Sequence, residues 1–405
     1  MLCQFTFKNF KSYMNETVFD MQAVSGQGFE NSLLKSEKDR SFFLPVSVIY
    51  GPNAGGKSNV LEALICVLSI VMKPILIFKE GLMSSGDIQW YPFLFDEKSP
   101  KLPTEFELYF RPDNEYEYNY KISVFESNII SESLYRKKIG GKGFPAKIFE
   151  REKSKIELGA AINKSTIKFT EINEQMPYLS FLSINYKLAE IESVISWFEK
   201  CILRNYAKPG SERQLYIVSD LEFKKKIVAL LNEVGINISD FSIVEKNDNK
   251  NMYDVFFEHI VNEKKYTLNI LHESDGTQKL FVILPLVIIA LNEGRMLVID
   301  ELDAKLHPKL LKFVIMLFKN PEINKKGAQL IFTSHDVSTM KSSVFRTDEI
   351  WFACKREDET SELYSLYELR DESGNRIQPS AAFDKQYLEG RYGADPYFSN
   401  MMNWG

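Results

Sequence analysis

Two stretches of the 405-residue sequence combine residue types whose spacing could act on a phosphoester. Gly51-Pro52-Asn53-Ala54-Gly55-Gly56-Lys57-Ser58 reads G-x-x-x-x-G-K-S. Its glycines let backbone N–H groups turn inward around phosphate oxygens, Lys57 can neutralise their charge, and the Ser58 hydroxyl can ligate magnesium. Asn59 follows directly and completes the expected phosphate-side set. The second stretch, Met296-Leu297-Val298-Ile299-Asp300-Glu301, is an apolar run tipped by two carboxylates. Asp300 suits a magnesium held jointly with Ser58, and Glu301 suits the orienting and polarising of an attacking water. Roughly 30 residues on, Gln329-Leu330-Ile331-Phe332-Thr333 leads into Ser334-His335-Asp336 and sets His335 where a terminal-phosphate sensor would stand.

Such groups need strands and helix ends to aim them. Val46–Tyr50 is apolar and β-branched, so it reads as a buried parallel strand feeding the glycine loop, with a helix from near Lys57. Met296–Ile299, Gln329–Thr333 and Glu349–Phe352 read as further strands, with helices from Gly276 and from about Pro308. Phe106, Leu108 and Phe110, then Tyr116, Tyr118, Tyr120, Ile122 and Val124, alternate around Pro112-Asp113-Asn114 as an antiparallel hairpin or meander. From about 145 to 245 the pattern turns helical. Its clearest helix is expected after a Ser219/Glu222 capping box, carries Phe223, Ile227, Leu230, Leu231 and Val234 on one face, and closes at Gly235. Ala63 to Phe78 is nearly all apolar but shorter than a spanning helix needs and interrupted by Lys73-Pro74, so a buried helix is expected.

The loop, the carboxylate-tipped strand and the strand-end histidine, in this order, resemble the Walker A, Walker B and histidine switch of ABC ATPases. That resemblance implies ATP and Mg2+ as ligands and a signature motif before Walker B. Glu273-Ser274-Asp275-Gly276-Thr277-Gln278 supplies it, Ser274 and Gly276 matching the serine and second glycine of LSGGQ, with Asp275 replacing the first glycine. A D-loop follows as Glu301-Leu302-Asp303. The resemblance further implies a head-to-tail homodimer, or a higher homo-oligomer. In it Ser274 and Gly276 cap the partner's ATP and Asp303 communicates across the interface. Walker A and signature lie about 220 residues apart, farther than in transporter domains.

Phe7-Lys8-Asn9-Phe10-Lys11-Ser12 resembles the opening of the RecF, SMC and Rad-type ATPases, which implies that Lys8, Asn9 and Ser12 neighbour the adenine and ribose. No sustained heptads, CxxC hook or Toprim-length tail accompany it. In Tyr91-Pro92-Phe93, Pro103-Thr104-Glu105-Phe106-Glu107, Leu306-His307-Pro308, Asp348-Glu349-Ile350 and Arg391-Tyr392-Gly393-Ala394 the chain resembles compact bacterial AAA-labelled ATPases of abortive-infection and phage-defence operons (RloA-like, AbiL-like, the PARIS ATPase). A separately encoded effector protein is then the expected partner. The fold expected is α/β, an ABC-type P-loop NTPase head with an antiparallel β subdomain and a helical insertion. The boundaries expected are an N-terminal ATPase lobe (1–145), a mainly helical insertion (146–250) and a C-terminal ATPase lobe (251–405).

Composition sets the outer limits. With 44% hydrophobic and 26% charged residues the sequence is that of a soluble globular protein, expected in the cytoplasm with no membrane partner. Four scattered cysteines form no disulfide framework or zinc site. A net charge of −5 gives no global case for nucleic acid. Locally, Arg136, Lys137, Lys138, Lys142, Lys147, Arg151, Lys153 and Lys155 form a basic run that could engage phosphates. A RecF-like DNA-repair clamp is therefore the alternative to a switch.

Overall fold

A computed structural model describes residues 1–80, 90–168, 171–205, 221–245, 253–371 and 373–394. The capping serine expected at Ser219 lies outside them.

Strands β1 (Leu2–Lys8) and β2 (Thr17–Asp20) are followed by the short pair β3 (Leu34–Lys35) and β4 (Phe42–Phe43), then β5 (Val46–Tyr50) and helix α1 (Lys57–Glu80). A meander comes next: β6 (Thr104–Phe110), β7 (Tyr116–Phe125), β8 (Asn128–Lys138), β9 (Ala146–Glu152) and β10 (Lys155–Leu158). Helices α2 (Tyr178–Asn185) and α3 (Ala189–Glu199) lead to β11 (Ile202–Asn205) and α4 (Leu221–Glu233). Then come β12 (Asp240–Glu245), β13 (Tyr253–Val261), β14 (Lys264–Asn269), α5 (Asp275–Glu293) and β15 (Met296–Asp300). The last elements are α6 (Pro308–Lys319), β16 (Gln329–Thr333), β17 (Ile350–Lys355), β18 (Ser361–Ser365) and α7 (Phe383–Leu388).

Three larger sheets, besides the two-stranded pair β3-β4, organise the described elements. A six-stranded sheet runs in the order β11-β15-β16-β5-β17-β18 and is parallel except for the edge strand β18. Strands β5, β15 and β16 are buried along their whole length, as expected of strands covered on both faces. Alternation splits their side chains between two cores. Ile49, Val298 and Ile331 point to the side of α1, whereas Val46, Val48, Ile299 and Phe332 point to the side of α5 and α6. A seven-stranded antiparallel sheet, β10-β9-β8-β7-β6-β1-β2, closes the α1 side. Gln329 ties the two sheets together, accepting from the Leu2 amide (2.6 Å) and donating to the carbonyls of Leu2 and Leu44 (3.1 and 3.2 Å). The third sheet, β12-β13-β14, packs over α4 and α5 and leads into the signature turn.

This is the expected α/β class with its antiparallel subdomain. The stretch 146–250 is of mixed character where helix was expected: β9 and β10 extend the antiparallel sheet, and β11 forms an edge of the parallel one. Charged residues make up most of β9 and β10, because strands near a sheet edge keep one face in water, and that masks the alternation. Helices α1 and α5 are each long and apolar enough to cross a membrane. Both instead pack on the parallel sheet, from opposite faces.

Candidate active site

The loop after β5 lies directly on its neighbour strand. Gly51 turns with φ +146°, and a Cβ there would stand 2.0 Å from the Ala353 carbonyl oxygen of β17. Gly56 turns with φ +105°, its missing Cβ 2.6 Å from Ser361 Oγ of β18. Both positions demand glycine, for lack of space and for handedness. Pro52 and Gly55 flank an exposed crest of Asn53 and Ala54, the latter left-handed at φ +63°. Lys57 begins α1 and is 6% exposed. Its ammonium donates to the carbonyls of Gly51 (2.9 Å) and Pro52 (2.8 Å), so it lies inside the loop that would hold phosphate. Burial pushes its pKa down, and Asp300, Glu301 and Asp303 pull it back.

Strand order sets the rest. β16 lies between β5 and β15, and all three end on the same side. Ligands of open α/β sheets bind in the crevice at such carboxyl ends. Ser58 Oγ donates to Asp300 Oδ1 (3.1 Å), bringing together the two residues expected to share magnesium. A hydroxyl and a carboxylate are the hard oxygen donors that Mg2+ takes, so the pair fits the ion. Thr333, at the end of β16, was not foreseen. Its hydroxyl donates to Asp300 Oδ1 (2.6 Å) and accepts from the Glu301 amide (2.8 Å). Glu301 itself sits at φ +53°, a conformation unusual outside glycine that clusters at functional sites. The His335 amide donates to Asp303 Oδ2 (2.9 Å), while the His335 side chain is exposed. Among the described residues Asp303 Oδ1 is buried without a hydrogen-bond partner.

The residues expected to form the signature stand at the head of α5. Ser274 caps α5, its hydroxyl accepting from the Thr277 amide (3.2 Å), and it is exposed with Asp275. Gly276 lies against Lys305, whose carbonyl would be 3.2 Å from an added Cβ. Among the described residues neither Ser274 nor Gly276 shares a hydrogen bond with the 51–58 loop of its own chain. Asp275 pairs with Lys305 at 3.2 Å, which partly neutralises the charge that replaces the signature's first glycine.

Of the base-side residues, Lys8 is exposed at the end of β1. Asn9 is 2% exposed and its side chain is taken up by hydrogen bonds within the chain. Its amide nitrogen donates to the carbonyls of Ser99, Leu102 and Pro103, and its oxygen accepts from the Phe93 amide. A φ of +52° bends the chain there, which a short carboxamide tolerates. Ser12 reaches the first turn of α1: its hydroxyl accepts from Asn59 Nδ2 (2.7 Å) and from Ser361 Oγ (2.7 Å).

The basic run separates in space. Arg151 is fully buried against Glu132, Lys147 pairs with Glu150 and Glu157, and Arg136 stacks on Tyr116 and pairs with Glu190. Lys137 and Lys138 instead join Lys38, Arg40 and Arg111 around a recess of about 420 Å³ that Asp39 and Glu117 also line, both paired with Arg111. Tyr118 and Tyr120 are buried in sheet packing.

A sequence profile described as "AAA domain, putative AbiEii toxin, Type IV TA system" matches residues 46–341. No curated protein matches the chain by sequence. Among solved structures, the SMC head bound to the C-terminal winged-helix domain of ScpA is 16% identical, covers 90% of this chain and 97% of its own, and superposes with a TM-score of 0.46. The SMC head of Thermotoga maritima is 12% identical over 90% and 98% of the two chains, with a TM-score of 0.45. The Smc head with coiled coil and joint from Pyrococcus yayanosii is 12% identical over 96% and 99%, with a TM-score of 0.47.

Proposed function

The chain belongs to the AbiEii-like AAA domain family of P-loop ATPases, and from that premise we propose that it is an ATP-driven switch closing as a head-to-tail dimer. In this reading Gly51–Ser58, with Asn59, holds the ATP phosphates, and Ser58 with Asp300 holds magnesium. The ion would neutralise phosphate charge as the bond to the terminal phosphoryl breaks. Lys57 exchanges its loop carbonyls for phosphate oxygens. Glu301 orients the attacking water, and His335 senses the terminal phosphate. Thr333 keeps Asp300 and Glu301 in register.

The observation that carries the dimer is the exposed signature turn. Ser274 sits at a helix N-terminus, where backbone N–H groups and the helix dipole favour an anion, yet it shares no bond with its own phosphate loop. A second copy supplies the phosphate it lacks. Magnesium-ATP should bring Glu301→Gln to the mass of a dimer on a sizing column with light scattering, with hydrolysis lowered by about 10²–10³-fold. A Glu301→Gln chain that stays monomeric beside an inactive wild type sinks the model.

A bacterial defence role is supported by the AbiEii and type IV toxin–antitoxin wording of the matched family, and a separately encoded effector is the partner this reading expects. The resemblance of Tyr91-Pro92-Phe93 and Asp348-Glu349-Ile350 to RloA-like, AbiL-like and PARIS ATPases points the same way. The second reading, a RecF-like clamp on nucleic acid, is favoured by one feature. Lys38, Arg40, Lys137 and Lys138 converge from two segments on a single recess, with Phe144 97% exposed on the adjoining hairpin. ATP-dependent DNA retention at about 0.15 M salt would select the clamp, and its absence the switch.

A further inference from the structure

We infer that Lys279 is a positioning residue coupling the signature turn at the head of α5 to the Glu301 turn of the same chain. The inference rests on reading Ser274 as a contact to the partner's nucleotide.

Lys279 stands five residues beyond Ser274, about 7.5 Å along the axis of α5. Its ammonium donates to the main-chain oxygens of Glu301 (2.9 Å) and Ala304 (2.5 Å). These two carbonyls bracket Leu302-Asp303, the segment expected to speak across a dimer interface. The turn they belong to is strained at both ends: Glu301 has φ +53° and Lys305 φ +64°, and neither is glycine. Such conformations persist only where surrounding contacts over-determine them. Lys279 supplies two of those contacts. The Asp275–Lys305 ion pair and the close approach of Gly276 to the Lys305 carbonyl supply two more. The head of α5 and residues 301–305 therefore form one block.

Lysine is seldom drawn inward without reason, since its ammonium usually snorkels to water. Here burial pushes the pKa down to about 8 against the opposing pull of Asp303 and Glu301, with Lys305 adding to the fall. The desolvated ammonium is satisfied by the backbone of the turn that carries the water-orienting carboxylate. A helix moves as a rigid body, so a displacement of α5 when Ser274 and Gly276 engage the partner's ATP reaches Glu301 through Lys279. Each site then fires in response to occupancy of the other, and hydrolysis by the dimer is cooperative in ATP.

ATPase kinetics of the full chain test this. Wild type should show a Hill coefficient above 1. Lys279→Met, which keeps the aliphatic stem and removes the donors, should lower kcat about tenfold or more, because small misplacements of reacting groups are costly. Its KM for ATP should stay within about threefold and its Hill coefficient should fall to 1, since the bonds Lys279 gives to Glu301 and Ala304 act on the turn that carries the water-orienting carboxylate. Lys279→Arg, which restores the donors, should recover most of both losses. Wild-type kcat and Hill coefficient in Lys279→Met would overturn the inference, as would equal losses in the Met and Arg variants. Should Lys279→Met fail to fold, amide exchange decides. ATP should protect residues 301–306 in wild type more than in Ser274→Ala, and equal protection refutes the coupling. A wild type that never dimerises with ATP removes the sandwich reading itself. A dimerising wild type beside a fully active Lys279→Met removes only this inference.

Discussion

Two buried carboxylates, Asp300 and Glu132, show how the two large sheets divide their labour. Glu132 on β8 is sealed in the antiparallel sheet: Oε1 accepts from Tyr120 (3.0 Å) and the Leu179 amide (3.0 Å), and Oε2 from the Tyr178 amide (2.6 Å). Arg151 lies 3.5 Å away and fixes the 173–176 loop through the carbonyls of Asn173 and Met176. Burial pushes the Glu132 carboxyl up, and Arg151 and the two amides pull it back down. Asp300, 7% exposed, ends a parallel strand and shares Oδ1 between two hydroxyls, Thr333 and Ser58. Ser58 opens the helix after a loop built for a ligand, so its hydroxyl can turn to an arriving ion. One carboxylate is locked by partners that define the fold, the other is held by partners that chemistry can borrow.

The comparison can be broken in graded ways. Arg151→Ala should have the largest effect, about 3–5 kcal/mol of stability, because it leaves a buried carboxylate uncompensated. Chemical denaturation measures that loss, and nucleotide affinity of the folded chain should change by less than about twofold, a change within roughly 0.4 kcal/mol. Thr333→Val should do the reverse. Losing the hydroxyl between Asp300 and the Glu301 amide should cost about 1–2 kcal/mol of transition-state stabilisation, roughly tenfold in kcat, with a smaller effect on KM. Steady-state ATPase assays read it, and a pure stability loss with unchanged kcat would erase the distinction between the carboxylates. The smallest effect belongs to Asp275→Asn. Its ion pair joins side chains 66% and 67% exposed, so the melting curve should move by no more than about 0.5 kcal/mol.

What could be read in advance followed from how local each feature is. Gly51–Ser58 declares itself because its function depends on backbone conformation within eight consecutive residues, and glycine and lysine types report that directly. β5, β15 and β16 were legible as largely apolar runs because both faces of a parallel sheet are covered. β9 and β10 were not, since edge position fills them with charge. The packing of Asn9 was not legible, because its spacing within Asn-Phe-Lys-Ser carries no information on the bonds its carboxamide gives to Ser99, Leu102 and Pro103, some 90 residues on. Thr333 left no signal at all. A threonine ending a strand is ordinary until β16 is placed between the strands that end in Tyr50 and Asp300.

The sequence by itself determined the chemistry on offer: a phosphate loop, a carboxylate-tipped strand, a signature serine and their order along the chain. Only the tertiary structure decided which of these meet. It joined Ser58 to Asp300, kept the Ser274 end of α5 free of hydrogen bonds to its own loop, buried Arg151 out of the basic run, and bound Lys279 to the Glu301 turn. The physical reason is one of range. Local backbone preferences are written in adjacent residues, whereas a contact between residues 22 or 242 positions apart exists only once strand order and packing have closed the intervening chain.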